Sequence, residues 1–548
     1  MQVADGIAHI LRAEGVDTLF AYPVNPIIEA AARADIRTVI VRQERIGLHM
    51  ADAYARLHSG ERVGVFAMQH GPGAENAFGG VAQAYSESAP VLVLPAGYSR
   101  RQMWTDPNYS SFLNLDRVTK SNEVLLAGGH LSEVMRRAFM ALRNGRPRPA
   151  SVEVPVDVMG EEAGDLADYT PTFATRYGPD PVDVDKVAAA IAAAERPVLY
   201  AGQGVHYAKA WPELRQLAEA WSIPVVTSIE GKSAFPETHP LSLGTGGRSM
   251  PTAVRTFLDD ADLIIGVGVS FTRTGFGVAM PRGARLVHCT LDPADLQKDL
   301  PTEHALVGDA QLTLAALLAA LEGRPRTTAD ARHGRVEADI AAAHAAFLAQ
   351  WQARLDSSAT PIDPYRVMAE LTRTLDPDDT IITHDAGSPR DQILPFWKSN
   401  TPLSYIGWGK TTQLGYGLGL AMGAKLARPD KVCVNVWGDA AIGFTGMDFE
   451  TAVRERLPIL SVLLNNFSMA IEIPIMQVAQ EKYGSTDISG HYADFARALG
   501  GYGERVTDPN EVSAAIARGV EQTRDGTPAL IEVITAKDYT YPIPGKAH

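Results

Sequence analysis

Residues 432–442 read VCVNVWGDAAI, and residues 459–468 read ILSVLLNNFS. In each stretch a short apolar run ends in Gly, Asp or Asn, which predicts two buried strands that are each followed by a polar loop. Strands buried on both faces are typical of parallel sheets. We therefore expect Asp439 and Asn466 to meet at the carboxyl edge, where open α/β sheets bind their ligands.

The same alternation of apolar runs and Ala-rich helical stretches covers the rest of the chain. Strands are predicted at 38–41, 63–66, 91–94, 224–227, 263–267 and 380–383, and helices at 187–194 and 312–321. Strands of four to six residues between helices indicate the α/β class, with parallel sheets flanked by helices.

Two zones interrupt this rhythm and are predicted to be linkers. Residues 159–182 are polar, acidic and contain Pro, and residues 323–363 combine Arg, Pro and Thr with a polar Ala-rich helix. They divide the chain into three domains, expected at 1–165, 180–325 and 360–548, and each has a plausible domain size.

One short internal similarity links the first and third domains. The pattern Ala-x-x-Glu-x-x-Pro followed by two apolar residues occurs at 84–92 and again at 452–460. Both copies predict a helix that ends before Pro and leads into a buried strand, although Pro after a helix is also common without any duplication.

Composition excludes several classes of function. The 548 residues include 50 Lys and Arg against 64 Asp and Glu, a formal charge of −14, and no basic block offers a footprint for nucleic acid or an anionic membrane. No apolar run approaches the roughly 18 residues of a membrane span, and the first residues lack the features of a signal peptide. We expect a cytoplasmic protein.

The two cysteines give no sign of redox or metal chemistry. Cys289 and Cys433 each lie in an apolar run, where a buried structural thiol is expected. Two thiols in a chain of this length exclude a disulfide framework or a thiolate metal cluster.

The residues at the two strand ends suit a hard cation and a phosphate group. One carboxylate from Asp439, one amide oxygen from Asn466 and a nearby carbonyl match the oxygen ligands of Mg²⁺. The small residues Gly438, Ala440 and Ala441 would let backbone N–H groups approach a diphosphate closely. Taken singly, Gly438-Asp439 is also explained as an ordinary turn, and Asn465-Asn466 as an ordinary strand terminus.

Together, Gly438-Asp439 and Asn465-Asn466 closely resemble the thiamine diphosphate-binding motif, which typically reads Gly-Asp-Gly and then Asn-Asn. Ala440 departs from this pattern and adds a methyl group beside the diphosphate. The chain is thus similar to the thiamine diphosphate-dependent enzymes, in the branch of acetolactate synthase, pyruvate oxidase and the 2-oxo acid decarboxylases. The resemblance implies a pyrimidine-binding, a central and a diphosphate-binding domain.

Further segments extend the resemblance to nearly the whole chain. They are RQER at 42–45 with MADAYAR at 50–56, GPGAEN at 71–76, GKSAFPETHP at 231–240, LDPA at 291–294, DAGS at 385–388 and TTQLGYG at 411–417.

The resemblance assigns roles to individual residues. Glu44 would stabilise the imino tautomer of the cofactor's aminopyrimidine, reaching across a dimer interface. Leu414 would lie under the bent cofactor, and the carbonyl of Thr412 would accept its 4′-amino group. The remaining implied contacts are Gly387, Ser388, Gly438, Ala440 and Ala441 on the diphosphate and Asp439, Asn466 and Ser468 on Mg²⁺.

The sequence determines the residues that would contact the substrate less clearly than those that would bind the cofactor. By resemblance, His70 lies near the reacting carbon, Asn25 faces the substrate, and Glu472 takes part in protonation and carboxylate release. A loop histidine is the alternative explanation for His70, and Glu472 could equally be a helix-surface acid.

The implied activity is a thiamine diphosphate- and Mg²⁺-dependent decarboxylase or carboligase that acts on a 2-oxo acid through a C2 ylide and an enamine. A lyase that cleaves 2-hydroxyacyl or acyloin bonds is an alternative, as is a catalytically silent cofactor-binding homologue, which only Ala440 supports. A homodimer or homotetramer is expected, with active sites between subunits. Whether residues 266–273 hold FAD or ADP stays open, because the paired-acid pattern of relatives is lacking and GQG at 202–204 is too short for a dinucleotide fingerprint.

Overall fold

The computed structural model describes residues 1–543 and contains three six-stranded parallel sheets, each flanked by helices. This architecture confirms the predicted α/β class. The limits expected for the three domains stay a prediction. No helix among residues 1–543 is both long enough and apolar enough to cross a bilayer.

The first sheet has the strand order β2-β1-β3-β4-β6-β5. Its strands are β1 Thr18–Ala21, β2 Arg37–Ile40, β3 Gly64–Met68, β4 Val91–Gly97, β5 Ser121–Val124 and β6 Ala150–Pro155. The helices around it are α1 Val3–Ala13, α2 Pro26–Arg33, α3 Glu44–Leu57, α4 Pro72–Ser86, α5 Ser111–Leu115 and α6 Leu131–Arg143.

The second sheet has a different order, β12-β11-β10-β7-β8-β9. Its strands are β7 Pro197–Ala201, β8 Val225–Thr227, β9 Ser242–Thr245, β10 Leu263–Val267, β11 Arg285–Thr290 and β12 His304–Val307. Its helices, and two that follow them, are α7 Pro181–Ala193, α8 Gln203–Tyr207, α9 Trp211–Trp221, α10 Thr252–Asp260, α11 Ala310–Leu321, α12 Thr327–Arg332 and α13 Arg335–Leu355.

The third sheet has the order β14-β13-β15-β16-β18-β17. Its strands are β13 Thr380–His384, β14 Tyr405–Ile406, β15 Val432–Gly438, β16 Leu460–Asn465, β17 Tyr502–Val506 and β18 Ala529–Ile534. Its helices are α14 Pro364–Thr374, α15 Ser388–Ile393, α16 Tyr416–Ala427, α17 Asp439–Thr445, α18 Phe449–Arg454, α19 Gln477–Tyr483, α20 Tyr492–Ala498 and α21 Val512–Arg524.

The first and third sheets share one topology. Counted along the chain within each sheet, both run in the order second, first, third, fourth, sixth, fifth, whereas the middle sheet does not. The short sequence similarity lies at equivalent places, since 84–92 covers the step from α4 to β4 and 452–460 the step from α18 to β16.

Several helices begin at an Asx-Pro pair, which explains their position in the sequence. The side chains of Asn25, Asp180 and Asp363 each accept a hydrogen bond from the backbone N–H two residues later, with Pro at the first helical position. Such a cap satisfies a donor that the helix cannot, and Pro has no N–H to leave unpaired there.

We call each sheet with its helices a body and number the three bodies in chain order. Helices α3 and α16 join the first body to the third. A Cβ atom added at Gly419 would lie 2.4 Å from Cβ of His49, and one at Gly423 would lie 2.3 Å from the carbonyl oxygen of Met50. Only glycine at these two positions permits this approach. Apolar residues of both bodies, including Ile46 and Leu420, consequently form one continuous core.

A Gly423→Ala substitution should destabilise the protein. The added methyl group gains about 1 kcal/mol of helix propensity, but its overlap with the backbone of α3 costs about 2 kcal/mol or more. We expect a lower Tm in thermal unfolding. The control is Gly129→Ala, whose added Cβ meets no atom within 4 Å; an equal fall in both variants would contradict the close packing.

Candidate functional site

Three neighbouring strands of the third sheet end in polar loops at one edge. Strands β13, β15 and β16 are adjacent and parallel. Asp385 follows β13, Asp439 follows the end of β15 and Asn466 follows β16. The sequence prediction that Asp439 and Asn466 meet is confirmed, because the Asn466 backbone N–H donates to Asp439 Oδ2 over 3.1 Å.

The Asp439 carboxylate organises the loop after β16. Its Oδ2 also accepts the backbone N–H of Ser468 at 3.1 Å, and its Oδ1 accepts that of Ala440 at 2.9 Å. The side chain is buried. Burial raises the pKa of the Asp439 carboxyl, and the N–H groups that it accepts oppose this shift.

Asn466 carries a polar atom without a partner. Its Oδ1 is buried and accepts no hydrogen bond, whereas the preceding Asn465 is fully engaged, with Nδ2 donating to Glu532 at 2.7 Å and Oδ1 accepting from Phe467 N at 3.0 Å. A buried amide oxygen left unpaired costs free energy. A cation held between Asn466 Oδ1 and the Asp439 carboxylate would satisfy both groups.

These groups line a cavity of about 350 Å³. Most of the residues predicted from sequence line it: Gly387, Ser388, Thr412, Leu414, Gly438, Asp439, Ala440, Ala441, Asn466, Ser468 and Glu472. They come from four separate segments of the third body. The strand ends predicted the meeting of the segments at Asp439 and Asn466, and only the family resemblance added those at 387–388 and 412–414.

The segment before α16 is tied to the end of β13. Asp385 is fully buried, and its carboxylate accepts the backbone N–H groups of Gly415 and Gly417, each at 2.9 Å. Burial raises the pKa of Asp385 to about 6, against the opposing effect of these N–H groups. The contacts hold Leu414 at the cavity wall.

Glu44, His70 and Asn25 belong to the first body and do not line this cavity. Glu44 is the first residue of α3, is buried, and lies against α4, where a Cβ added at Gly73 would be 3.5 Å from its Oε1. Burial raises the pKa of the Glu44 carboxyl. His70 is half-buried, and its ring meets the ring of Tyr98 edge-on with centroids 4.5 Å apart.

Asn25 has a structural task that the sequence did not indicate. Its Nδ2 donates to the carbonyl oxygens of Met68 and Leu94 at 2.9 and 3.0 Å, and its Oδ1 caps α2. The side chain thus ties the end of β3 to the middle of β4, while a contact with substrate stays a prediction.

Arg248, Phe276 and Arg390 also line the cavity and were missed by sequence reasoning. Arg390 is buried, pairs with Asp391 through two contacts of 3.0 Å, and lies 3.9 Å over the ring of Phe276. Arg248 and Phe276 come from the middle of the chain, where no motif or spacing pointed to this cavity. The only available signal was the adjacent charge pair in DAGSPRD at 385–391.

A second, larger cavity of about 1080 Å³ lies between the middle body and the first body, which contributes residues such as Ser88 and Arg146. The glycine segment 202–204 and the loop 268–274 both line it. The N–H of Gly204 donates to the Gly268 carbonyl over 2.9 Å, and a Cβ at Gly204 would lie 2.7 Å from Gly268 Cα. Neither segment alone indicated a nucleotide site in the sequence, but together they form one wall of this cavity.

Comparisons with known families match the chain in three parts. The family model for the N-terminal TPP binding domain of thiamine pyrophosphate enzymes matches residues 1–109, that for the central domain matches 184–317, and that for the C-terminal TPP binding domain matches 385–533.

Curated relatives extend the match over almost the full length. The acetolactate synthase large subunit of Parasynechococcus marenigrum is 31% identical over all of this chain and 90% of its own length. The probable acetolactate synthase large subunit of Methanocaldococcus jannaschii is 29% identical over 97% of this chain and 92% of its own. The acetolactate synthase isozyme 3 large subunit of Escherichia coli is 28% identical, with 99% and 97% covered.

Proposed function

The chain belongs to the thiamine pyrophosphate enzymes, in the branch that includes acetolactate synthase. We propose that it decarboxylates a 2-oxo acid and ligates the product to a second carbonyl compound. The proposed cofactors are thiamine diphosphate and Mg²⁺. The observation that carries the proposal is the single cavity where Asp439, Asn466, Thr412 and Leu414 converge.

The donor set fits a small hard cation. Asp439 supplies a carboxylate and Asn466 an unpartnered amide oxygen, and Ser468 is proposed as the third ligand. Mg²⁺ accepts such a partial set because phosphate oxygens and water complete its octahedron. The set consists of oxygen ligands, which suit Mg²⁺ better than metals that prefer thiolate or imidazole.

The wall beside this set fits a diphosphate. Gly387 has φ of +85°, and an added Cβ there would meet no atom within 4 Å, so the surface is open next to Ser388. Gly438, Ala440 and Ala441 line the same cavity. Their short side chains would let phosphate oxygens approach the backbone closely.

When bound, thiamine diphosphate would supply the nucleophilic and electron-accepting chemistry that decarboxylation of a 2-oxo acid requires. The chain's own residues would hold and orient it: Thr412 would accept an amino hydrogen at its carbonyl, and Leu414 would support the cofactor from the cavity wall. Glu472 lines the cavity and is proposed to hold the proton that is delivered after CO₂ leaves. His70 is proposed to move a proton on the substrate side.

We propose that complete active sites form between two copies of the chain. Glu44 is buried in the first body away from the walls of the cavity, yet its proposed role requires contact with the cofactor's pyrimidine. A homodimer or homotetramer supplies the missing half. Because the relatives are named large subunits, a smaller partner chain is also proposed.

The larger cavity is proposed as a site for FAD or ADP. Its 1080 Å³ and the close glycine wall at 202–204 and 268 suit a nucleotide. The two groups stay alternatives, and the visible absorbance of the purified protein separates them, since only flavin absorbs there.

The decisive test of function is a panel of 2-oxo acids offered with thiamine diphosphate and Mg²⁺, with and without aldehyde or 2-oxo acid acceptors. CO₂ release with a ligated product supports the proposal. CO₂ release with only an aldehyde indicates a decarboxylase. Cleavage of 2-hydroxyacyl or acyloin substrates without CO₂ indicates a lyase, and binding without turnover indicates a silent homologue.

Glu44→Gln should lose most turnover while retaining thiamine diphosphate binding. The amide cannot share a proton with the pyrimidine nitrogen, so a loss of about 100-fold or more in kcat is expected. The matched control is Glu133→Gln, an exposed acid in the first turn of α6. Unchanged kcat in Glu44→Gln would remove this residue from the mechanism.

Asp439→Asn should weaken Mg²⁺-dependent binding of thiamine diphosphate. Partners that merely orient a metal ligand contribute 10- to 100-fold in affinity, so loss of the charged ligand should cost about 100-fold or more. Calorimetric titration with thiamine diphosphate at fixed Mg²⁺ measures the effect, with the exposed Asp430→Asn as control. Equal affinity in both variants would argue against a metal ligand at Asp439.

A further inference from the structure

Residues 409–413 have an irregular backbone that is held by side chains of another body. Glu87 Oε1 accepts the N–H groups of Lys410 at 2.8 Å, Gly409 at 3.2 Å and Thr411 at 3.4 Å. Glu87 is fully buried and directly follows α4. Buried N–H groups need acceptors, and here one carboxylate oxygen serves three of them.

Gln83, one turn earlier on α4, continues this contact. Its Oε1 accepts the hydroxyl of Thr411 at 2.6 Å and the N–H of Gln413 at 3.3 Å, and its Nε2 donates to Glu87 Oε1 at 3.3 Å. Gln83 is 1% exposed. The two side chains thus form one hydrogen-bonded unit that faces the segment.

Gln413 is also fixed through its own side chain. Its Oε1 lies 3.0 Å from His49 Nε2 on α3, and a Cβ at Gly79 would lie 2.2 Å from its Nε2. Gln413 stands between Thr412 and Leu414 in the chain. Holding its backbone and side chain therefore fixes the two neighbours that line the cavity.

Charged residues from all three bodies lie close to Glu87. Lys410 lies 3.7 Å from Glu230 of the middle body, and Arg56 of α3 donates to the Gly407 carbonyl over 2.8 Å. Burial and the charge of Glu230 raise the pKa of Glu87, and Lys410 and Arg56 lower it.

We propose that Glu87 and Gln83 are positioning residues that set the backbone of 409–413, and through it the Thr412 carbonyl and Leu414, for the cofactor. This inference rests on the proposed function, because Thr412 and Leu414 are assigned to the cofactor there. Helix α4 then contacts residues proposed for both halves of the site, since Gly73 near its start lies against the Glu44 side chain, with 3.5 Å between an added Cβ and Glu44 Oε1. Its 15 residues span about 22 Å.

The test uses three variants of the full-length protein. Glu87→Leu and Gln83→Met remove the acceptors, while Glu87→Gln keeps an acceptor oxygen at the same place. The control is Leu92→Ala in β4, which is buried in the core on the α1 and α6 side of the first sheet and lowers stability without touching 409–413.

The first readout is amide hydrogen exchange of 409–413 without any cofactor. Glu87→Leu should speed exchange by about tenfold or more, the equivalent of one lost hydrogen bond, and Gln83→Met should do so at 411–413. Glu87→Gln and Leu92→Ala should leave it unchanged. If Glu87→Leu fails to fold, Gln83→Met carries the test.

The second readout is the Kd of thiamine diphosphate at fixed Mg²⁺. We expect about a tenfold rise or more in Glu87→Leu, with rescue in Glu87→Gln and no rise in Leu92→Ala. Unchanged exchange and Kd in folded Glu87→Leu and Gln83→Met, or the same changes in Leu92→Ala, would overturn the inference. If the unaltered protein fails to bind thiamine diphosphate, the proposed function fails, while hydrogen exchange still decides on the positioning role.

Discussion

Helices α3 and α16 approach so closely that a single methyl group at Gly423 would meet the backbone of Met50. A buried polar network lies on the same seam: Asp52 of α3 accepts hydrogen bonds from Tyr416 and from Arg56, the latter at 2.6 Å. Removing one partner of such a buried pair leaves the other charge buried without compensation, which lowers the free energy of unfolding by about 3–5 kcal/mol. The seam therefore fixes the first body against the third in one arrangement.

That arrangement determines the geometry of the candidate site. Residues 409–415 lead directly into α16, so the seam brings them against the end of α4. There Glu87 and Gln83 replace the backbone partners that an irregular segment lacks. Asp385 anchors the other end at Gly415. The cavity wall is thus built from local sequence in the third body but shaped by side chains of the first.

The sequence predicted the parallel sheets and the meeting of Asp439 with Asn466, because both follow from local apolar runs and from the polarity of strand ends. It could not show that the first and third sheets share one strand order, since strand order depends on long-range packing. It also missed Phe276, which comes from another sheet, and the contacts of Glu87. A Phe is equally common in an ordinary core and a Glu at an ordinary helix end. Only the three-dimensional arrangement therefore shows that Phe276 and Glu87 belong to the site.

The cavity's charges bear on how an anionic 2-oxo acid could be attracted. Asp439 and Glu472 contribute negative charge, and Arg390 is neutralised by Asp391 at 3.0 Å. The remaining positive group of the wall is Arg248, which lies over the ring of Tyr541 with 4.7 Å to its centroid. A divalent cation at Asp439 and Asn466 would offset part of this negative charge and of the charge of a bound diphosphate. Metal binding would therefore lessen the repulsion of an anionic substrate at this site. The acidic surplus of the whole chain would not oppose its approach, because exposed charges beyond about 10 Å are screened by salt.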